Sequence, residues 1–437
     1  MASTIKTGPT IFLASAIIAL LAGCQHRTAQ PPASSPPPPL SKLAQLGKSL
    51  FFDPSLSASG QQSCASCHSP ASHFGPPNTL AMQLGGPQGD IAGTRTAPSL
   101  TYLSETPGFS IGPDADGDAD ADRVNTGRRS GPVATVKPTV AKTAATAAKA
   151  LVPRGGFFWD GRADNLAAQA LGPLMNPVEM ANTNPEELAE KIRRLPYAEH
   201  FKAVVDPHIL EDSRRLPSYA VFAISRYEME DPAFHPYNSK YDLYLRGQVN
   251  LSRTERRGLK LFEDPEKGNC AACHPSGKTP GGLPPLFTDF QYEALGVPRN
   301  PAIRGNEDPQ SYDLGICGPT RRDRYSQQPQ NCGMFKTPSL RNVATRQAFF
   351  HNGRYSTLDE VMHFYVQRDT SPEKFYPRRP DGSVAKYDDL PAQYQGNIDT
   401  LDAPFNRKPG DKPALNEAEI KDVIAFLGTL SDGYESP

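Results

Sequence analysis

Two pentads constrain this chain more than any other feature: Cys64-Ala-Ser-Cys67-His68 and Cys270-Ala-Ala-Cys273-His274, 206 residues apart. In C-x-x-C-H the two thiols form thioethers to haem vinyl groups, and the adjoining imidazole sits on the iron. A single copy can arise by chance or serve zinc or redox chemistry. Two copies in one chain point to two covalently bound c-type haems, and zinc fits poorly because neither cluster has a second ligand pair nearby. A fold built on these pentads wraps two large apolar cofactors. That suits a chain of 437 residues with only 38% hydrophobic side chains and with 45 prolines and 35 glycines.

The other three cysteines speak to compartment. Lys6 precedes an apolar run from Ile11 to Ala22, and Leu21-Ala22-Gly23-Cys24 resembles a bacterial lipobox, which is cut before a cysteine that then carries lipid. The run is too short to span a hydrocarbon core of ~30 Å as a stable helix. Residues 1–23 therefore read as a lipoprotein signal peptide; an ordinary cleaved signal with Cys24 idle is the blander alternative. Residues 24–40 read as a tether, with six prolines between Gln25 and Pro39, reaching roughly 45 Å at ~3.1 Å per residue. The expected location is the periplasm, on a membrane surface, where thiols oxidise. Cys317 and Cys332 are then expected to pair, a loop closure worth about 3 kcal/mol in the chain-entropy picture. Lysine and arginine (46) balance aspartate and glutamate (47), which leaves no electrostatic footprint for a nucleic-acid partner.

The segments before the pentads repeat. Leu40-Ser41, Gly47, Leu50-Phe51 and Asp53-Pro54 recur 211 residues later as Leu251-Ser252, Gly258, Leu261-Phe262 and Asp264-Pro265. Each copy predicts a short helix entering the loop that carries the haem cysteines. Each half also closes on a helical pattern. Asn416 and Glu419 form a capping box ahead of Ile420, Val423, Ile424, Leu427 and Leu430, and Tyr219, Phe222, Ala223, Arg226 and Tyr227 follow similar spacing. The predicted fold is mainly α and loop-rich: two cytochrome c-like haem domains from an internal duplication, at 41–245 and 246–437, with an insertion at about 103–152.

Further motifs carry a resemblance: Phe158-Trp159-Asp160-Gly161-Arg162, Gly172-Pro173-Leu174, Asn176-Pro177-Val178-Glu179-Met180, Pro338-Ser339-Leu340-Arg341-Asn342 and His351-Asn352-Gly353. Over roughly residues 41–432 the chain resembles the bacterial di-haem cytochrome c peroxidase family, which includes the methylamine-dehydrogenase maturation enzyme MauG. The resemblance implies that the N-terminal haem meets hydrogen peroxide and the C-terminal haem handles electrons. It also places Trp159 between them as a relay, Glu179 over the reactive iron as acid–base group and Gln169 beside it to orient peroxide, with Pro173 shaping the wall. Without the motif, Trp159 reads as a core aromatic and Glu179 as a helix-start carboxylate.

The chain departs from the family pattern in three places. Where usual members carry a histidine some sixteen residues after the first haem-binding His, this chain has Leu84, so the first haem is expected to be open; His73 lies too near His68 to reach the opposite face. The Met expected fourteen residues after His351 reads Tyr365, the MauG-like pattern. Thr357 and Glu360 suggest a capping box, with Leu358, Val361, Met362 and Tyr365 on one face and His363 on the other. Met362 competes with Tyr365 as the distal ligand of the second haem. A calcium ion often sits between the haems in this family. Its Asn ligand is replaced by Tyr102, and two positions usually Thr and Pro read Arg346 and Ala348. Those two can act through backbone carbonyls, so one calcium ion stays open.

Within the insertion, Asp114, Asp116, Asp118, Asp120 and Asp122 alternate, yet Ala119 and Asn125 stand where a calcium loop of the EF-hand type needs Gly and Glu; a solvated acidic loop fits better. Arg321, Arg322 and Arg324, between Cys317 and Cys332, read as solvated charge or as a face for an acidic partner. Two functional classes stand against each other. One is an enzyme consuming hydrogen peroxide, either with electrons from a small redox protein of cytochrome c or cupredoxin type or by oxidising a residue in a partner protein. The other is a non-catalytic electron-transfer cytochrome with both irons six-coordinate, to which an acid–base Glu179 and an open site at Leu84 would be foreign.

Overall fold

Ser41 starts the first helix, α1 (Lys42–Phe52), by accepting the Ala44 N–H at 3.1 Å, and Asp53-Pro54 ends it. The computed structural model describes residues 1–2, 38–113, 151–279 and 281–435. Residues 3–37, which hold nearly all of the expected signal peptide and tether with Cys24, and the aspartates expected to form an acidic loop lie outside the described residues. The described residues from Pro39 onward form one compact unit.

Among the described residues the further α-helices follow in order: α2 (Cys64–Cys67), α3 (Leu166–Met175), α4 (Pro185–Arg193), α5 (Glu199–Val204), α6 (Arg215–Glu230), α7 (Lys240–Leu245), α8 (Arg253–Glu263), α9 (Leu358–Gln367) and α10 (Glu417–Gly428). Among the described residues strands are confined to three short antiparallel pairs: Leu84–Gly85 with Ile91–Ala92, Ser110–Pro113 with Leu151–Arg154, and Tyr292–Glu293 with Phe335–Lys336. The second pair is the base through which the insertion leaves and re-enters the fold. The mainly helical, loop-rich class expected from the sequence is what the structure shows.

The repeat reappears as the same helix crossing in both halves. α8 is capped by the reciprocal Ser252–Glu255 box and buries Gly258, Leu259 and Phe262, as α1 buries Gly47, Leu50 and Phe51. A Cβ on Gly47 would collide with the Ala223 carbonyl of α6, and one on Gly258 with the Asp422 carbonyl of α10. Glycine at each crossing lets two helix backbones touch. Phe51, Phe74, Tyr227 and Phe234 fill the first core, with Phe74 stacked on Phe234 at 3.7 Å. Tyr241, Phe262, Phe287 and Phe426 fill the second through edge-to-face and tilted contacts.

Gly258→Ala is accordingly expected to cost about 3 kcal/mol through overpacking against backbone that cannot step aside. The check is thermal melting of the holoprotein beside a Gly396→Ala control, whose Cβ would meet nothing within 4 Å. Equal midpoints for the two variants would contradict the crossing argument.

Candidate active site

Both pentad histidines are aimed by one device. His68 caps α2 and its Nδ1–H donates to the Phe74 carbonyl at 3.1 Å; in the second half His274 Nδ1–H donates to the Phe287 carbonyl at 2.7 Å. Phe74 and Phe287 both hold positive φ, 53° and 54°, a conformation that bulky residues rarely take. Burial pushes each imidazole down to about 4. Each ring is therefore neutral, with Nδ1–H committed and the Nε2 lone pair left for a metal. Burial also pushes the Cys64 thiol up to about 12, Cys67 to about 11 and Cys270 to about 12. None of the four pentad cysteines is tied up in a disulfide.

Each set edges a cavity. Cys64, Cys67 and His68 line the first, together with Leu84, Gln169, Pro173 and Glu179. Cys270, Cys273 and His274 line the second, larger and mainly apolar, together with Met362 and Tyr365. Paired thiols beside a ligand-ready imidazole, on the wall of an apolar cavity, are the donor set of a covalently attached haem, and both sites fit it.

The polar groups of the first cavity come from α3 and the turn after it. Asn165 caps α3 by accepting the Ala168 N–H at 2.9 Å, and one turn on, buried Gln169 faces the cavity. Glu179 follows the helix end. Its N–H donates to the Asn176 carbonyl at 3.0 Å, and its own carbonyl takes the Gly86 N–H at 2.7 Å, which ties it to the Leu84–Gly85 hairpin. Burial raises the Glu179 carboxyl, while Arg162 and the Asn176 side chain pull it back down. Leu84 lies on this cavity's wall, 45% exposed. His73 does not line it; its carbonyl accepts the Ser99 hydroxyl at 2.7 Å, and the residue edges a separate small cavity.

Trp159 lines both haem cavities. Its Nε1–H donates to the Thr96 carbonyl at 2.8 Å, and its carbonyl takes the Lys336 N–H at 2.8 Å, so a strand-pair edge of the second half grips a loop of the first. The following Asp160 is fully buried and accepts Arg95 Nη1 at 2.7 Å and Arg162 Nη1 at 2.9 Å. Arg95 also forks onto Asp313 at 2.6 and 2.7 Å, a bidentate arrangement of high geometric specificity.

Tyr365 and Met362 both face the second cavity from α9, whose Thr357–Glu360 capping box is formed. Tyr365 packs between Phe350 and Phe405, at 5.8 and 5.5 Å between ring centres, and burial raises its phenol. His363 points away: its Nε2 lies 3.1 Å from the Glu417 carboxylate, and it is absent from the cavity wall. The Cys317–Cys332 disulfide is formed. Its loop brings Thr320 to the wall of the first cavity. Arg321 departs from the solvated reading: it is 3% exposed, donates to the Asp160 carbonyl at 2.8 Å and lies 3.8 Å over the Phe109 ring.

The profile described as "Di-haem cytochrome c peroxidase" matches residues 41–250. Methylamine utilization protein MauG of Paracoccus denitrificans (strain Pd 1222) is 30% identical over 406 residues, covering 90% of each chain. The chain belongs to the di-haem cytochrome c peroxidase family. It is accordingly a peroxidase-type oxidoreductase carrying two c-type haems. Cytochrome c551 peroxidase of Nitrosomonas europaea is also 30% identical, over 73% of this chain and 71% of that one. Among solved structures, the diheme peroxidase BthA from Burkholderia thailandensis E264 is 35% identical and covers 91% of this chain and 87% of that one, with a TM-score of 0.75. A tyrosine-to-methionine variant of BthA aligns with a TM-score of 0.77 over 91% of this chain and 88% of that one. The MauG-like branch is thereby supported.

Set against the family motifs, sequence reasoning left out Arg95, Lys336 and Glu228. Glu228 lines the first cavity at 5% exposure, and one of its carboxyl oxygens has no hydrogen-bond partner among the described residues. Its signal was available: a carboxylate on the buried face of α6, in register with Ile224. Arg95 had none, since its partner Asp313 lies 218 residues away.

Proposed function

We propose that the chain is a di-haem peroxidase that reduces hydrogen peroxide in the His68 cavity and shares oxidising equivalents with the His274 site through Trp159. The observation that carries this is the position of Trp159 on both cavity walls, with Glu179 and Gln169 in the first. Cys64, Cys67 and His68 would hold a haem here, which would supply the iron for peroxide reduction. Gln169 orients peroxide through its amide. Glu179 takes a proton from the near peroxide oxygen and delivers it to the departing one, a transfer that needs an ionised carboxylate within hydrogen-bond reach. Leu84, lacking a donor nitrogen, keeps that side clear for substrate.

On the second side His274 and Tyr365, on the wall of the same cavity, would hold the haem iron. A phenolate ligand from Tyr365 would lower the potential of that haem, which would favour sharing of oxidising equivalents over simple relay. Electrons then arrive from a small redox protein of cytochrome c or cupredoxin type. A second reading, oxidation of a residue in a partner protein, draws on the 30% identity to MauG. The enzyme works in the periplasm, tethered to a membrane through lipidated Cys24; no helix of the described residues is long and apolar enough to cross a membrane.

Tyr365→Met tests the ligand assignment. The variant is expected to raise the second haem's reduction potential and to introduce the near-infrared band of a His–Met haem. A spectrum and potential equal to wild type, with Met362→Leu changing both instead, would transfer the assignment to Met362.

A further inference from the structure

Between the two haem cavities lies a third. It shares Trp159 and Gln169 with the first and Lys336, Thr337 and Arg346 with the second. Arg341 lines it too. Among the described residues, neither this cavity nor the small one adjoining it around Ser99 and Asn342 has an aspartate or glutamate on its wall.

The three cations are not equivalent. Arg341 is neutralised by Asp242, which accepts two of its N–H groups at 2.9 and 2.8 Å. Lys336 Nζ donates to the Gly156 carbonyl and Arg346 Nη2 to the Ala97 carbonyl at 3.1 Å. Neither lies within ion-pair distance of a carboxylate among the described residues. Burial pushes Lys336 down to about 8 and Arg346 down to about 10, with Asp160 pulling the lysine back up. Holding two desolvated cations on carbonyl partners alone is costly, and an anion between them removes the cost.

A dication is the wrong occupant. Calcium takes six to eight oxygens, carboxylates prominent among them, whereas this wall presents three cationic side chains. Tyr102, where the family's Asn ligand would stand, donates its hydroxyl to Asp432 at 2.7 Å and lies under the Arg341 guanidinium at 4.5 Å. Among the described residues no group of three His, Cys, Asp or Glu side chains is placed to hold a metal ion. The second cavity, by contrast, needs cations. A c-type haem brings two propionates, and among the described residues Lys336 and Arg346 are the lysine and arginine on that cavity's wall; Glu293, Asp313, Asp389, Asp399 and Asp402 line it elsewhere.

We propose that the cavity between the haems is a carboxylate site, in which Lys336 and Arg346 receive the propionates of the haem attached at Cys270 and Cys273 and no calcium ion is held. This rests on the two-haem reading, which a haem determination on the same sample checks separately. The test combines two readouts on holoprotein shown to carry two haems. Calcium is measured by elemental mass spectrometry after exhaustive chelator dialysis and re-exposure to calcium, and the haem propionate bending modes are read by resonance Raman spectroscopy in wild type, Arg346→Gln, Arg346→Lys and Lys336→Met. The expected results are calcium far below one ion per chain, propionate modes shifted in Arg346→Gln and Lys336→Met, and modes returned toward wild type in Arg346→Lys. One calcium per chain would overturn the proposal, as would unmoved propionate modes in both charge-removing variants at full haem content. Should a variant fail to fold, the calcium measurement on wild type still decides whether a dication is held.

Discussion

Replacing Glu179 by glutamine is expected to slow peroxide cleavage by about 10²–10⁴-fold, the usual contribution of a positioned acid–base group, with both haems still attached. The substitution keeps the volume and the turn, since the backbone bonds to Asn176 and Gly86 do not use the carboxylate. It removes only the ability to take up and return a proton. The pH profile gives a second signature. Burial raises the Glu179 carboxyl against the pull of Arg162, and the group acts in its ionised form. Activity should therefore fall as pH drops through a value above the ordinary carboxylate range, and that acidic limb should be absent from the residual activity of the variant. Stopped-flow absorbance of the ferric protein mixed with peroxide measures both; turnover and pH limb equal to wild type would refute the role.

Trp159→Phe is expected to separate the two haems functionally. Phenylalanine fills most of the space but loses the Nε1–H bond to the Thr96 carbonyl and is far harder to oxidise than indole. Peroxide should still be consumed in the His68 cavity, because Glu179 and Gln169 are untouched. The response of the second haem to peroxide should be abolished, and with it turnover that draws electrons through that site. Single-turnover spectra resolve the two events. A second-haem response at the wild-type rate would show that the indole is a packing residue after all.

Much of this arrangement was legible in the sequence because its signals are local. The pentads, the capping boxes at Thr357–Glu360 and Asn416–Glu419 and the repeated glycine of α1 and α8 each span a few residues, and each is present as read. What sequence spacing could not supply was set by partners far along the chain. Phe222 shares the helical spacing of Ala223 and Tyr227 on α6 yet is 44% exposed. The crossing of Gly47 over Ala223 turns that helix so that Ala220, Ala223, Ile224 and Tyr227 face inward. Arg321 sits in a polar, arginine-rich stretch, and only the fold brings Phe109 and the Asp160 carbonyl to it. The same holds for Trp159. Its neighbours Thr96 and Lys336 are 63 and 177 residues away, so its place on both cavities was implied by family resemblance and not by any pattern around it. The sequence offers Arg346 only as a stand-in for a calcium ligand, whereas its side chain is, among the described residues, one of two cations without a carboxylate partner on the wall of the cavity between the haems.

The central claim is that the His68 site is open and reacts with peroxide while the His274 site is held on both faces. Electron paramagnetic resonance of the ferric holoprotein, before and after one equivalent of hydrogen peroxide, tests it most directly. The account predicts one high-spin and one low-spin haem at rest, with both signals lost or altered on peroxide addition. Two low-spin haems with no response to peroxide would contradict it and return the protein to the class of electron carriers.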